Sequence, residues 1–241
     1  MEEAHAEARP RVSGFHVPLF RELLRRFTYD DPGAAELLLE APILGEMDGS
    51  EEWERVAAEE QQERLWTRDD MLQFSEEERG SFLRSIGPSD HDEELLRASM
   101  SDLHCGRMVG TFFSIPDAQK RLLASRVAIS RRFGVKRPDK LRPCDNLRRS
   151  RVNQGMRARR RLRLSTLETF AQTWRFTKQE GRRQRRVDVV LKLWKEDHEG
   201  TYRQFALAKR DLPFGVVAFW HPFKQMIVFF RSFVFNVWSG K

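Results

Sequence analysis

The charge of residues 131–186 constrains this chain more than any other feature. The segment contains 20 Lys and Arg residues and only four Asp and Glu residues. Charge at this density is costly on a folded element unless an anion neutralises it, so the segment favours a surface that meets a polyanion. Apolar residues interrupt the charge often enough to anchor a sheet or hairpin: Phe133, Val135, Leu141, Cys144, Leu147 and Val152. The alternative is a generic, solvated basic surface.

The charge of the whole chain is divided between its two halves. Residues 1–100 carry 11 Lys/Arg and 25 Asp/Glu, whereas residues 101–241 carry 32 and 11. We therefore expect an acidic, mainly helical N-terminal region over residues 1–115 and a basic region over residues 116–241. Nucleic acid is the polyanion that such a basic half favours. An acidic membrane and simple solvation of the charges are the alternatives.

The cysteines and the apolar segments indicate a soluble, intracellular chain without a membrane partner. Cys105 and Cys144 make neither a disulfide framework nor a zinc site. The N-terminus has no basic segment followed by an apolar core, so it is not a signal peptide. No apolar run reaches the roughly 18 residues that a membrane-spanning helix needs.

Hydrophobic periodicity predicts several elements. Apolar residues at helical spacing indicate helices over about residues 16–27 and from Asp92 to near Gly106 or Gly110. Ser165 and Glu168 have the spacing of a capping box, which predicts a helix that buries Leu167, Phe170, Ala171 and Trp174 and backs a sheet. Residues 216–230 read as strand, turn and strand.

Two short motifs carry the chemistry. In Lys140-Leu-Arg142, strand alternation puts Lys140 and Arg142 on one face, and two cations on one face suit a triphosphate. Residues 187–194 alternate as a strand with one buried face and lead into Asp197. A carboxylate at the end of a core strand suits Mg²⁺, which prefers hard oxygen ligands. The alternative for Asp197 is an acid at the tip of a surface strand.

Taken together, these motifs resemble the fingers and the first palm motif of reverse transcriptases, as found in protist mobile-element proteins. The lead-in Arg-Arg-Phe-Gly-Val (131–135), the motif Lys-x-Arg-Pro-x-Asp-Asn (140–146) with Ser-x-Val-Asn (150–153), and the sequence Asp197-x-x-x-x-Tyr202-Arg-Gln carry the resemblance. It implies an α+β fold in which a helical N-terminal region precedes fingers and an incomplete palm. The implied activity is RNA-directed DNA synthesis from dNTPs with Mg²⁺.

The resemblance also implies roles for single residues. Lys140 and Arg142 would bind the phosphates of the incoming nucleotide, Asp197 would be the catalytic metal ligand, and Tyr202 would lie beneath the sugar. Asp145 and Asn153 would be structural ties. The residues expected to contact nucleic acid are Arg148, Arg149, Arg151, Arg159, Arg160, Arg161, Arg203 and Gln204.

The sequence departs from the family at its second palm acid motif. No Tyr-x-Asp-Asp follows Asp197, and the only later aspartate is Asp211. We therefore expect that this chain alone does not polymerise. A second chain that completes the palm would be needed for activity. Leu-Pro-Phe-Gly (212–215) matches a palm motif but follows Asp197 too soon, and we interpret it as coincidental or relocated. The expected picture is a truncated product with an unprotected sheet edge. The alternatives are a non-enzymatic RNA/DNA-binding protein with an Arg-rich surface and a decayed mobile-element reading frame.

Overall fold

A computed structural model describes residues 16–28, 32–39, 41–42, 44–47, 54–55, 64–138, 140–158, 160–161, 167–184 and 206–233. Helices and sheets are mixed along this part of the chain, which confirms the α+β class. The arrangement as fingers and an incomplete palm stays a prediction.

Seven α-helices and three short 3₁₀-helices occur within the described residues. The α-helices are α1 (Val17–Arg26), α2 (Glu36–Leu39), α3 (Arg68–Glu77), α4 (Arg79–Arg84), α5 (Asp92–His104), α6 (Ile115–Leu122) and α7 (Leu167–Arg183). The 3₁₀-helices are Pro32–Ala35, Val152–Gly155 and Lys209–Phe214. The predicted helices near residues 16–27 and 92–106 are confirmed. Among the described helices, none is long and apolar enough to cross a membrane.

The strands form one larger sheet and two small ones. They are β1 (Gly45–Met47), β2 (Glu54–Arg55), β3 (Met108–Phe112), β4 (Ile129–Lys136), β5 (Leu141–Asn146), β6 (Met156–Ala158), β7 (Arg160–Arg161), β8 (Val216–His221) and β9 (Met226–Ser232). The five-stranded sheet has the order β3-β9-β8-β4-β5, and only its β4–β8 pair is parallel. The predicted strand, turn and strand over residues 216–230 are confirmed as β8 and β9.

Both faces of the five-stranded sheet are covered. On one face α5 packs against β3, β4, β5 and β8, around a cluster that includes Leu95, Phe219 and Phe230. On the other face, Phe82 of α4 and Ile115 of α6 pack in a second cluster with Phe229. Two covered faces explain why β8 reads as a continuous apolar run rather than an alternating one.

A charged residue is buried within this core. Arg132 on β4 is 1% exposed and lies opposite Asp145 on β5. Its Nε and Nη2 donate to the Asp145 carboxylate at 2.7 and 3.0 Å, and its Nη1 donates to Ser99 Oγ at 3.3 Å. Burial lowers the pKa of Arg132, but the charge and hydrogen bonds of Asp145 outweigh burial and hold that pKa above its ordinary value. The implied role of Asp145 as a structural tie is thus confirmed.

The motif Leu-Pro-Phe-Gly (212–215) has a packing role. It closes the 3₁₀-helix Lys209–Phe214, and Leu212 and Phe214 are buried in the core. A Cβ at Gly215 would lie 2.7 Å from the Ser232 carbonyl oxygen, and the Ser232 N–H donates to the Gly215 oxygen at 2.9 Å. Glycine is required here because two backbones approach closely. This contact and the burial of Leu212 and Phe214 explain the motif by packing, with no need for a role in guiding a nucleic-acid template.

Two expectations about organisation meet different outcomes. The helix α7 forms, but Phe170 and Ala171 are exposed and Trp174 is only half-buried, so the predicted burial of this stripe against a sheet is wrong for these residues. Among the described elements, α7 makes no extensive contact with the five-stranded sheet, whose two faces are covered by other helices. Residues from both sides of position 115 share that sheet, since β3 precedes it. The boundary near residue 115 stays a prediction.

Candidate anion-binding pocket

The β4–β5 hairpin places the predicted cations at its two ends. Lys140 and Arg142 lie at the start of β5, and Arg148, Arg149 and Arg151 follow its end. A strand rises about 3.3 Å per residue, so the two groups are roughly 15–20 Å apart. The structure therefore does not bring all five into one site.

The loop after β5 is held by specific hydrogen bonds. Asn146 Oδ1 accepts from the Arg149 N–H at 3.0 Å. Ser150 is buried, and its Oγ lies 2.7 Å from Ser130 Oγ on β4. Arg151 adopts the left-handed backbone conformation, with φ of 62°, before the chain enters the 3₁₀-helix Val152–Gly155. These ties fix a turn from which the three arginines project.

Helix α3 faces this loop and is fixed at both ends. A capping box starts the helix: Thr67 Oγ accepts from the Asp70 N–H at 3.1 Å, and the Asp70 carboxylate accepts from the Thr67 N–H at 2.9 Å. The hydrogen bonds from the Thr67 N–H and hydroxyl lower the pKa of Asp70. Further along, Ser75 Oγ accepts from the Ile129 N–H at 3.3 Å, which joins α3 to β4.

A pocket of about 500 Å³ lies between α3–α4 and the loop after β5. Its lining consists of Phe74, Ser75, Glu78, Arg79, Phe82, Ile129, Asn146, Arg148, Arg149, Ser150 and Arg151. Four arginines and one glutamate give this lining a strongly positive charge. A concave basic surface of this kind attracts anions.

Aromatic rings support two of the pocket arginines. Arg149 Cζ lies 5.4 Å from the centre of the Phe82 ring, and Arg151 Cζ lies 5.4 Å from Phe74 and 5.9 Å from Trp66. These distances are in the range of cation–π contacts. Within the described residues, no acid forms an ion pair with Arg148, Arg149 or Arg151. The N–H groups of their guanidinium side chains therefore remain available for the oxygens of a ligand.

Sequence reasoning missed the fourth arginine. Arg79 begins α4 in the acidic half, so neither its surroundings in sequence nor a motif marked it. Its Nε and Nη2 are buried and have no hydrogen-bond partner among the described residues, and Glu76 Oε1 is 3.7 Å from Nη2. Only the folded chain brings Arg79 beside the loop after β5.

Lys140 and Arg142 are exposed at the other end of the hairpin. Neither forms an ion pair with an acid in the part of the chain that the structure describes, whereas the nearby Lys136 binds Glu94 at 2.8 Å. Both side chains are exposed to solvent and can therefore reach the phosphate of a ligand. Their implied role at a triphosphate stays a prediction.

The remaining predicted residues fall largely on undescribed positions. Asp197, Tyr202, Arg203, Gln204 and Arg159 lie outside the described residues. The backbones of Arg160 and Arg161 form β7, which pairs antiparallel with β2, and their side chains also lie outside the description.

The described residues show no cluster of metal-ligating side chains. They contain no group of three or more His, Cys, Asp or Glu side chains placed to hold a metal ion. Asp211 is fully buried, and its Oδ1 accepts from Arg68 Nε and Nη2 at 3.0 and 2.8 Å. Asp211 is therefore a structural acid.

Comparisons of the chain with protein-family models, with curated proteins and with solved structures find no match. The chemistry of the pocket rests on its own residues: fixed guanidinium groups beside aromatic rings can bind oxyanions and stack on planar groups.

Proposed function

We propose that the chain is a reverse transcriptase-like protein that binds nucleic acid through the loop after β5 and a nucleotide through Lys140 and Arg142. The observation that carries nucleic-acid binding is the convergence of Arg148, Arg149 and Arg151 on one pocket, where none of them forms an ion pair with an acid among the described residues. The proposal does not include polymerisation, because the sequence matches the first palm motif at Asp197 but has no match to the second palm acid motif.

The position of the arginines supports a nucleic acid rather than an arbitrary anion. Guanidinium groups bind phosphate oxygens with two parallel hydrogen bonds, and aromatic side chains and guanidinium planes stack on unpaired bases. Phe74, which is half-buried, lies in the same lining as the three arginines. A single strand offers both phosphates and accessible bases, so it uses both kinds of group.

One observation favours a second candidate, a non-enzymatic RNA/DNA-binding protein. The pocket and the pair Lys140–Arg142 lie at opposite ends of β5. Contacts to a strand at the pocket therefore do not depend on a nucleotide at the other end. In this candidate the Arg-rich surface is the whole functional site.

We expect the binding of single-stranded RNA to weaken steeply with salt, and the variant Arg148→Gln, Arg149→Gln, Arg151→Gln to reduce that dependence. Each lost phosphate contact lowers the slope of log K against log salt by about 0.7 for a single strand, so the slope should fall by roughly 2. Fluorescence anisotropy with a labelled oligonucleotide between about 50 and 200 mM salt measures it.

The matched control removes the same charge elsewhere. Arg26, Arg97 and Arg121 are exposed and lie outside the pocket lining, so their replacement by Gln should leave most of the slope in place. If the slope of log K against log salt is the same for the two triple variants, the pocket is not the binding site. RNA binding would then depend only on the net charge of the protein.

The nucleotide site is tested separately. If Lys140 and Arg142 bind a triphosphate beside a metal at Asp197, dNTP binding should require Mg²⁺ and be lost in Arg142→Ala and in Asp197→Asn. Calorimetric titration of dNTP with and without Mg²⁺ measures this. Unchanged titrations in both variants would reject the nucleotide site and favour the non-enzymatic candidate.

A further inference from the structure

The pocket between α3–α4 and the loop after β5 has features that a general basic surface does not need. It is concave, it contains an acid, and it includes Arg79, which no sequence motif marked. We propose that it binds one phosphorylated nucleotide unit, a nucleoside monophosphate or a single nucleotide of an unpaired strand, with Arg79 as a phosphate ligand. The inference rests on the proposed nucleic-acid binding and specifies what the pocket accepts.

The size of the pocket favours a single unit. Its volume of about 500 Å³ lies in the range of small-molecule sites rather than of a groove for a duplex. Helices α3 and α4 form one wall and the loop after β5 forms the other, with Ser75 and Ile129 joined between them. A paired base cannot enter such a space without leaving its stack, whereas an unpaired nucleotide can.

The guanidinium of Arg79 supplies the argument for a phosphate. Nε and Nη2 are buried without a hydrogen-bond partner among the described residues; Glu76 Oε1 lies 3.7 Å from Nη2, close enough for an ion pair but not for a hydrogen bond. Buried donors in native proteins nearly always have partners, and an unpaired one calls for a water or an ion. Phosphate oxygens provide acceptors of the right charge, and Arg148 and Arg149 beside Arg79 add further donors.

The other polar groups favour a nucleoside phosphate over inorganic phosphate. Glu78 repels a bare anion but accepts hydrogen bonds from an amino or hydroxyl group. Asn146 uses its Oδ1 for the Arg149 N–H, which leaves its NH₂ as a donor. Phe74 is half-buried, and together with the guanidinium planes of Arg149 and Arg151 it offers planar surface to a base. The lining thus combines cations for a phosphate with an acceptor, a donor and planar groups for a nucleoside.

Calorimetric titration of the full chain with adenosine and uridine 5′-monophosphate, the corresponding nucleosides and inorganic phosphate tests the inference. We expect one site per chain for the monophosphates and at least tenfold weaker binding of phosphate or nucleoside alone. Arg79→Gln should weaken monophosphate binding at least tenfold, and Arg79→Lys should give an intermediate value. Arg97→Gln, an exposed change on α5, should have no effect. Because Arg79 is partly buried, Arg149→Gln provides a second, exposed variant with the same expected direction.

Competition distinguishes the sources of the ligand. Displacement of a bound monophosphate by a single-stranded oligonucleotide, but not by a duplex, assigns the pocket to a nucleotide within a strand. Displacement by neither assigns it to the free nucleotide. Equal binding of inorganic phosphate and monophosphate, or no effect of Arg79→Gln and Arg149→Gln, would overturn the inference while salt-dependent RNA binding still stands. Absence of RNA binding at low salt would instead reject the proposed function.

Discussion

Replacing Asp145 with Ala should lower the free energy of unfolding by about 3–5 kcal/mol, since it leaves a buried charge without its main partner. Arg132 is 1% exposed and directs two guanidinium nitrogens at the Asp145 carboxylate. After the change, Asp102 Oδ2 at 3.7 Å is the nearest remaining acid. Urea denaturation followed by tryptophan fluorescence measures the loss.

Two further variants show that the loss comes from the ion pair. Asp90 is exposed and forms no ion pair among the described residues, so Asp90→Ala should change stability by less than about 0.5 kcal/mol. Arg132→Met combined with Asp145→Leu should recover much of the loss, because no charge is then buried alone. A loss below about 1 kcal/mol in Asp145→Ala would show that Arg132 is solvated or paired elsewhere.

Replacing Phe230 with Ala should also destabilise the chain by about 3–5 kcal/mol, through lost burial and a cavity. Phe230 is fully buried on β9 and stacks on Phe219 of β8, with ring centres 5.6 Å apart. Its ring also occupies the space that a Cβ at Gly110 on β3 would need, so it packs against a third strand. The same urea denaturation measures the effect.

Phe223 provides the matched control for Phe230. It lies in the turn between β8 and β9 and is 71% exposed. Phe223→Ala removes the same side chain from the same hairpin, and it should cost less than about 0.5 kcal/mol. Similar losses in the two variants would contradict the placement of Phe230 in the core.

The sequence predicted those elements whose pattern is local. The apolar runs of β8 and β9 and the spacing of Leu95, Leu96, Met100 and Leu103 in α5 identify a strand pair and a helix without knowledge of their neighbours. The parallel pairing of residues 129–131 with residues 216–218 was not predicted, since periodicity does not specify which distant strand a strand pairs with.

The candidate site was predicted in part, for a similar reason. Arg148, Arg149 and Arg151 belong to a dense basic run that is visible in the sequence, but Arg79 reaches them only through the fold. Arg132 belongs to the same run and is nevertheless buried. The register of the hairpin decides this, because it places Arg132 opposite Asp145 beneath α5.

The order of strands in the sheet has a consequence for synthesis of the protein. β8 and β9 are made after β3, β4 and β5, yet they lie between β3 and the β4–β5 hairpin. A nascent chain up to residue 215 therefore holds the single strand β3 and the β4–β5 hairpin, and the edges that will receive β9 and β8 lack partners. Ribosomes add about 5–20 residues per second, so synthesis of the roughly 100 residues between β3 and β9 takes on the order of 5–20 seconds. During this time the two edges stay unpaired. Unpaired edges invite association with other chains. Insertion of the β8–β9 hairpin is thus a step at which chaperones and the speed of translation can affect the yield of folded protein.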